Sequence, residues 1–157
     1  MSKRTQTRFI VVHCSATKPS QNITAQTVRE WHIAKGWSDI GYHFFIQRDG
    51  TIEAGRHVDE VGAHVAGHNT DTVAFCMAGG LDEAGVAHAN RPDLFTPAQW
   101  VSAKSLVSVL RKQYPFAAVL GHRDLSPDLN HDGHITPGEW LKLCPCFDAS
   151  FELGSKP

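Results

Sequence analysis

Two histidines, His13 and His122, each come at the end of a run that reads as a buried strand, and a cysteine, Cys144, follows the second of them. Two imidazoles and one thiolate can hold a zinc ion and leave its fourth tetrahedral position open, as a hydrolytic site requires. Cys146 is a conceivable fourth ligand, and four protein ligands would close the site into a structural one. Spacing by itself leaves both arrangements open. The HExxH helix of the common zinc proteases is absent.

A second metal pattern lies between His122 and Cys144. In DLNHDGHITPGE, residues Asp128 to Glu139, Asp128, Asn130 and Asp132 match the first three oxygen positions of an EF-hand-like calcium loop. Gly133 takes the sharp-turn position, His134 offers a backbone carbonyl, Ile135 is the apolar residue, and Thr136 and Glu139 complete the set. Three carboxylates drawn together repel one another without a cation. The rival reading is a turn rich in Asn, Asp and Gly whose Thr136 and Glu139 merely cap a helix. Ser126-Pro127 disfavours an entering helix, and a single loop excludes a paired sensor. The expectation is a structural Ca2+ that ties down this loop and sets where a short helix carrying Trp140 and Lys142 begins.

These residues need a scaffold. Arg8 to Val12 and Val73 to Ala78 read as buried strands, and Ala117 to Leu120 as a strand that delivers His122. His43 to Gln47 and Thr51 to Ala54 flank an Asp-Gly turn and predict a hairpin. Thr24 caps a helix running to about Lys35. Thr96-Pro97 with Gln99 starts another, whose Trp100, Ala103, Leu106, Val107 and Leu110 recur at helical spacing. Irregular alternation with a hairpin predicts an α/β fold, a central mixed β-sheet flanked by helices. Cys14 and Cys76 read as small buried hydrophobes, His32 as structural or exposed, and His43 as a strand residue facing away from Tyr42. His57, His68 and His88 acquire no role, and the C-terminal FELGSKP reads as a frayed end.

The totals narrow the function. At 157 residues the chain fits a single domain, 1–157, that includes the EF-hand-like loop at 128–139. Fifteen basic and sixteen acidic residues, net charge −1, argue against a nucleic-acid binder that works by phosphate neutralisation. The longest apolar run near the start, Phe9 to Val12, is too short for a secretory signal or a membrane span. Four cysteines at this length point to reduced thiols, some on a metal, rather than to a disulfide framework.

VVHCSAT, GWSDIGYHFFIQRDGTIEAGR, GAHVAGHN, FTPAQ, GHRD and KLCPCFD, taken in order, resemble the type 2 zinc N-acetylmuramoyl-L-alanine amidases. These are related to peptidoglycan recognition proteins, and the nearest likeness is to amidase-type bacteriophage lysozymes. The resemblance implies an amidase-like fold, a catalytic Zn2+ on His13, His122 and Cys144, and catalytic roles for Tyr42 and Lys142. His64 matches a position lining the family's substrate groove. It implies a monomeric phage endolysin that cuts bacterial peptidoglycan and reaches it from the host cytoplasm through a holin-type pore, with neither nucleic acid nor membrane as partner. Two other readings attach to the same family. One is a non-catalytic peptidoglycan-binding protein, a class that often loses the cysteine this chain keeps. The other adds inhibition of a phage RNA polymerase, for which the composition shows no interface.

Overall fold

The computed structural model describes residues 1–155. Its centre is a pair of parallel strands, β1 (Phe9–Cys14) and β4 (Thr72–Met77), in which every residue but Phe9 is buried. Strands covered on both faces need apolar residues at every position, hence the unbroken FIVV and VAFCM runs. The sheet order is β3-β2-β4-β1-β5, where β2 is Phe44–Ile46, β3 is Ile52–Ala54 and β5 is Ala118–Gly121. All neighbours are parallel except the β2–β3 hairpin, so the sheet is mixed as expected.

Helix α1 (Ala25–Ala34) covers one face and α2 (Pro97–Gln113) the other, joined there by the short α3 (Ala149–Leu153). Side-chain alternation assigns the faces. Ile10, Val12 and Cys14 pack with α2 and α3, whereas Val11 and Ala74 belong to the opposite face, to which His13 also points. Both long helices begin as expected: the Thr24 and Thr96 hydroxyls accept the N–H of Thr27 and Gln99. Buried Gln99 does more than close a capping box. Its amide donates to the carbonyls of Ala78 and Ile46, tying α2 to the ends of β4 and β2.

Three expectations are corrected. The short helix expected at Thr136 is only a 3-10 turn, Pro137–Glu139, and Lys142 lies beyond it in irregular chain. Trp140 adopts an extended backbone because its indole stacks on the buried Arg123 guanidinium, 4.0 Å away, which pulls the chain off the helical path. The C-terminal stretch is not frayed through Leu153. Asp148 caps α3 by accepting the Phe151 N–H, and Ala149 and Leu153 are buried; Lys156 and Pro157 lie outside the described residues. His43, finally, precedes β2 rather than lying in it.

His43 is 1% exposed and has a partner on each side of its ring. Nδ1 accepts the Ala74 N–H, and Nε2 lies 2.9 Å from the Glu60 carbonyl. Burial lowers its pKa from 6.5 to about 4. The ring is neutral in the fold, so its contribution to stability is complete above pH 6.5 and is lost as pH falls through 4. That share is on the order of 3 kcal/mol. Urea unfolding at several pH values should show a steep loss of stability across this window in the wild type and a shallower one in His43→Gln. Equal slopes would refute the assignment.

Candidate active site

The parallel pairing of β1 with β5 sets Val12 beside Gly121 and so brings the two strand ends to one edge of the sheet. His13 is carried on β1 itself, and His122 opens a 3-10 turn, His122–Leu125, directly after β5. The Asp124 carboxylate accepts the Gly121 N–H at 2.7 Å and tightens that turn. The two imidazole rings end 4.7 Å apart, centroid to centroid.

Cys144 comes from a distant loop and is held by backbone amides. Arg123 N–H donates to its carbonyl at 3.0 Å, and Cys14 N–H to its sulfur at 3.3 Å. Gly121 makes this approach possible, since a Cβ there would sit 2.6 Å from Pro145 Cδ. The ligand atoms of His13, His122 and Cys144 all lie within 4.8 Å of one another, and His13 Nδ1 is 3.8 Å from Cys144 Sγ. Cys146 stands outside the group. Its sulfur faces that of Cys14 at 3.9 Å, on the α2 side of the sheet.

The donor set fits zinc. Tetrahedral bonds of about 2.0–2.3 Å separate the ligand atoms by roughly 3.5 Å, and His13 Nδ1 and Cys144 Sγ stand 3.8 Å apart. Burial, reinforced by His64, His122 and Lys142, holds the pKa of His13 well below its ordinary value. His122 is lowered to about 4 by burial and then by Lys142. Both rings are therefore neutral at pH 7, and each keeps a nitrogen lone pair for a cation.

Tyr42 and Lys142 reach the same place. The Tyr42 ring lies 4.9 Å from that of His13, and burial followed by the neighbouring Cys76, Cys144 and Cys14 raises its pKa well above the ordinary value, so the phenol keeps its proton. Exposed Lys142 lines the cleft and is felt electrostatically by both histidines. The cleft measures about 350 Å³ and runs into a groove of about 700 Å³, the two sharing Trp37, Ala63, His64, His122 and Lys142. His64 lines both, yet it is buried and its Nδ1 lies 3.0 Å from His13 Nε2. It therefore touches His13 as well as lining the groove. His32, also at the cleft, accepts the Gly41 N–H and stacks with Trp37 at 4.4 Å.

The 128–139 loop is closed by its own hydrogen bonds. Asp128 accepts the N–H groups of Asp132 and Gly133, and Asp132 accepts that of His134. Asn130 donates to Asp132. Glu139 uses one oxygen on Leu129 and Asn130 and the other on Thr136. The carboxylates of Asp128, Asp132 and Glu139 do not converge: among the described residues, His13, His122 and Cys144 form the one such cluster of metal-ligating side chains. The geometry therefore gives the calcium expectation no support.

The N-acetylmuramoyl-L-alanine amidase family profile matches residues 3–139. This chain belongs to that family. The match takes in His13 and His122 and stops short of Cys144, which the geometry adds. The amidase is 44% identical over 147 residues to an endolysin of Klebsiella phage KP32 and 43% identical over 146 residues to the endolysin of Escherichia phage T7. These alignments cover 94% and 93% of the chain and 85% of each relative. Among solved structures it resembles the N-acetylmuramoyl-L-alanine amidase LysC of Clostridium intestinale, at a TM-score of 0.65 and 29% identity, over 88% of this chain and 89% of that one. Drosophila PGRP-LB shares the fold at a TM-score of 0.68 and 23% identity, over 97% and 82% of the two chains. The chain is thus a zinc-dependent type of peptidoglycan amidase related to phage endolysins.

Sequence reasoning missed the ring contacts of His64 and the part of Thr72, whose hydroxyl touches His64. No local pattern marks them, because the contact to His13 spans 51 positions. It also left Gly62 unread. A Cβ at Gly62 would stand 2.6 Å from His64 Cδ2, so Gly62→Ala must displace the ring. Overpacking of this kind typically costs about 1–3 kcal/mol. Thermal melting of the variant should show that loss together with weaker zinc retention; a wild-type melt and wild-type zinc content would refute the packing argument.

Proposed function

We propose that the chain hydrolyses the amide between the lactyl group of N-acetylmuramic acid and L-alanine, with zinc held by His13, His122 and Cys144. The observation that carries this is the convergence of two neutral imidazoles and a sulfur in a cleft that runs into an open groove. Zinc, when bound, supplies Lewis acidity and makes water a competent nucleophile near neutral pH. An open groove suits a polymer, since the glycan and the peptide stem must leave the cleft in opposite directions. Exposed Trp37 and Leu141 on its walls offer apolar contact.

Lys142 acts on the oxygen that becomes negative as the carbonyl turns tetrahedral. Its ammonium meets a charge absent from the ground state, which is what lowers a barrier rather than merely tightening binding. The protonated Tyr42 phenol orients water or relays its proton. No carboxylate lines the cleft among the described residues, so proton handling falls to Tyr42 and solvent. Asp124, the nearest acid in sequence to His122, spends an oxygen on the Gly121 amide. The reading takes the enzyme as a monomer delivered to the wall through a holin-type pore.

Dye release from labelled peptidoglycan, measured beside zinc content, separates the roles. Cys144→Ser should lose both zinc and cleavage while still sedimenting with the wall, as a binding-only relative would. Lys142→Ala should keep its zinc and lose cleavage by about 10²–10³-fold. Full cleavage by metal-free protein would overturn the reading.

The 128–139 loop enters this reading as a calcium site on its sequence pattern alone. Asp128 and Asp132 keep spare lone pairs beside the backbone amides they accept, so a cation there would share these carboxylates rather than displace the amides. Melting in excess calcium should exceed melting in EGTA; at 100 times the Kd the gain is about 2.7 kcal/mol. Superimposable curves would leave the segment a hydrogen-bonded turn.

A further inference from the structure

We propose that His64 and Thr72 are positioning residues: a directed chain of hydrogen bonds, starting at the His68 carbonyl, fixes which nitrogen of His13 is free to bind the metal. The inference rests on the zinc amidase reading and deepens it. It follows from counting protons along four groups.

A carbonyl oxygen can only accept, so the Thr72 hydroxyl donates to the His68 carbonyl, at 2.8 Å. That spends the one proton Thr72 has. The same oxygen lies 3.0 Å from His64 Nε2 and must accept there, so His64 carries its proton on Nε2. Both His64 and His13 are buried, and neither has a carboxylate within hydrogen-bonding distance among the described residues. Each ring therefore holds a single proton. His64 Nδ1 is bare and accepts Nε2–H of His13 across 3.0 Å. The proton of His13 is thus fixed on Nε2. Its bare nitrogen is Nδ1, the atom that faces the Cys144 sulfur at 3.8 Å.

A metal-binding histidine commonly donates its second N–H to a carboxylate or a carbonyl, groups that can only accept. Here the partner is another histidine, which can accept or donate. Alone it would leave the tautomer of His13 undecided. Thr72 removes the ambiguity, because its proton is claimed by a main-chain carbonyl. The anchor is rigid: Thr72 is fully buried as the first residue of β4, paired with Phe9, and the His64 and Val65 N–H groups both donate to Asn69 Oδ1.

Thr72→Val keeps the shape and removes the hydroxyl, and Thr72→Ser keeps the hydroxyl. Zinc affinity by chelator competition should fall about 10–100-fold in Thr72→Val and stay at the wild-type value in Thr72→Ser. Saturating zinc should restore most peptidoglycan cleavage to Thr72→Val, which general damage to the fold would not allow. Nitrogen-15 spectra of the zinc-free wild type should show His64 and His13 as Nε2–H tautomers. A folded Thr72→Val with wild-type zinc affinity, or a wild-type spectrum with the His64 proton on Nδ1, overturns the proposal, and the spectrum decides even if Thr72→Val does not fold. Wild-type protein that neither binds zinc nor cleaves peptidoglycan would sink the amidase reading itself. Intact wild-type function with an unaffected Thr72→Val would sink only the chain through Thr72.

Discussion

Two backbone amides hold this site together. The N–H of Cys14, at the end of β1, donates to the Cys144 sulfur, and the N–H of Arg123, just past β5, donates to the Cys144 carbonyl. The parallel pairing of β1 with β5 had already placed His13 and His122 side by side. The amides add the third member from a loop with no regular structure of its own. A side-chain contact could swing; an amide fixed in a sheet or turn cannot, so the sulfur is positioned before any metal arrives. Gly121 is part of the same constraint, because anything larger would push Pro145, and Cys144 with it, off the strand end.

Burial supplies the electrostatics. His13 is buried and His122 half-buried where they line the cleft, and loss of solvent keeps both neutral, as metal binding requires. Lys142 lines the cleft on the exposed side, and its charge pushes the same way on both rings. The division is physical: neutral donors where water is excluded, and the cation where water keeps it solvated.

The stretch between His122 and Cys144 acts as a brace. Arg123 stacks on Trp140 and donates to the Ala89 carbonyl, so one buried guanidinium joins three separate loops behind the site. Glu139 closes the 128–139 turn with both carboxylate oxygens on backbone and hydroxyl donors. Lys142 is therefore delivered by irregular chain rather than by a helix: the start signal at Thr136 to Glu139 closes only a 3-10 turn, while the residue still reaches the cleft.

The sequence alone determined the strands, the two capped helices and the hairpin, and made His13 and His122 candidates by their place at strand ends, while Cys144, Tyr42 and Lys142 were singled out by motifs resembling those of the amidases. Each of these is written in local signals or in short motifs: β-branched runs, Thr caps, an Asp-Gly turn, residues at strand ends. What only the tertiary structure decided is which groups meet. Whether Cys144 or Cys146 completes the trio turns on which sulfur the Cys14 amide faces. That His64 touches His13, and that Thr72 orients it, depends on rings brought together across two strands and a loop. The reason is that a side chain's type and its periodicity are local properties, whereas the direction of a hydrogen bond is settled by partners far away along the chain.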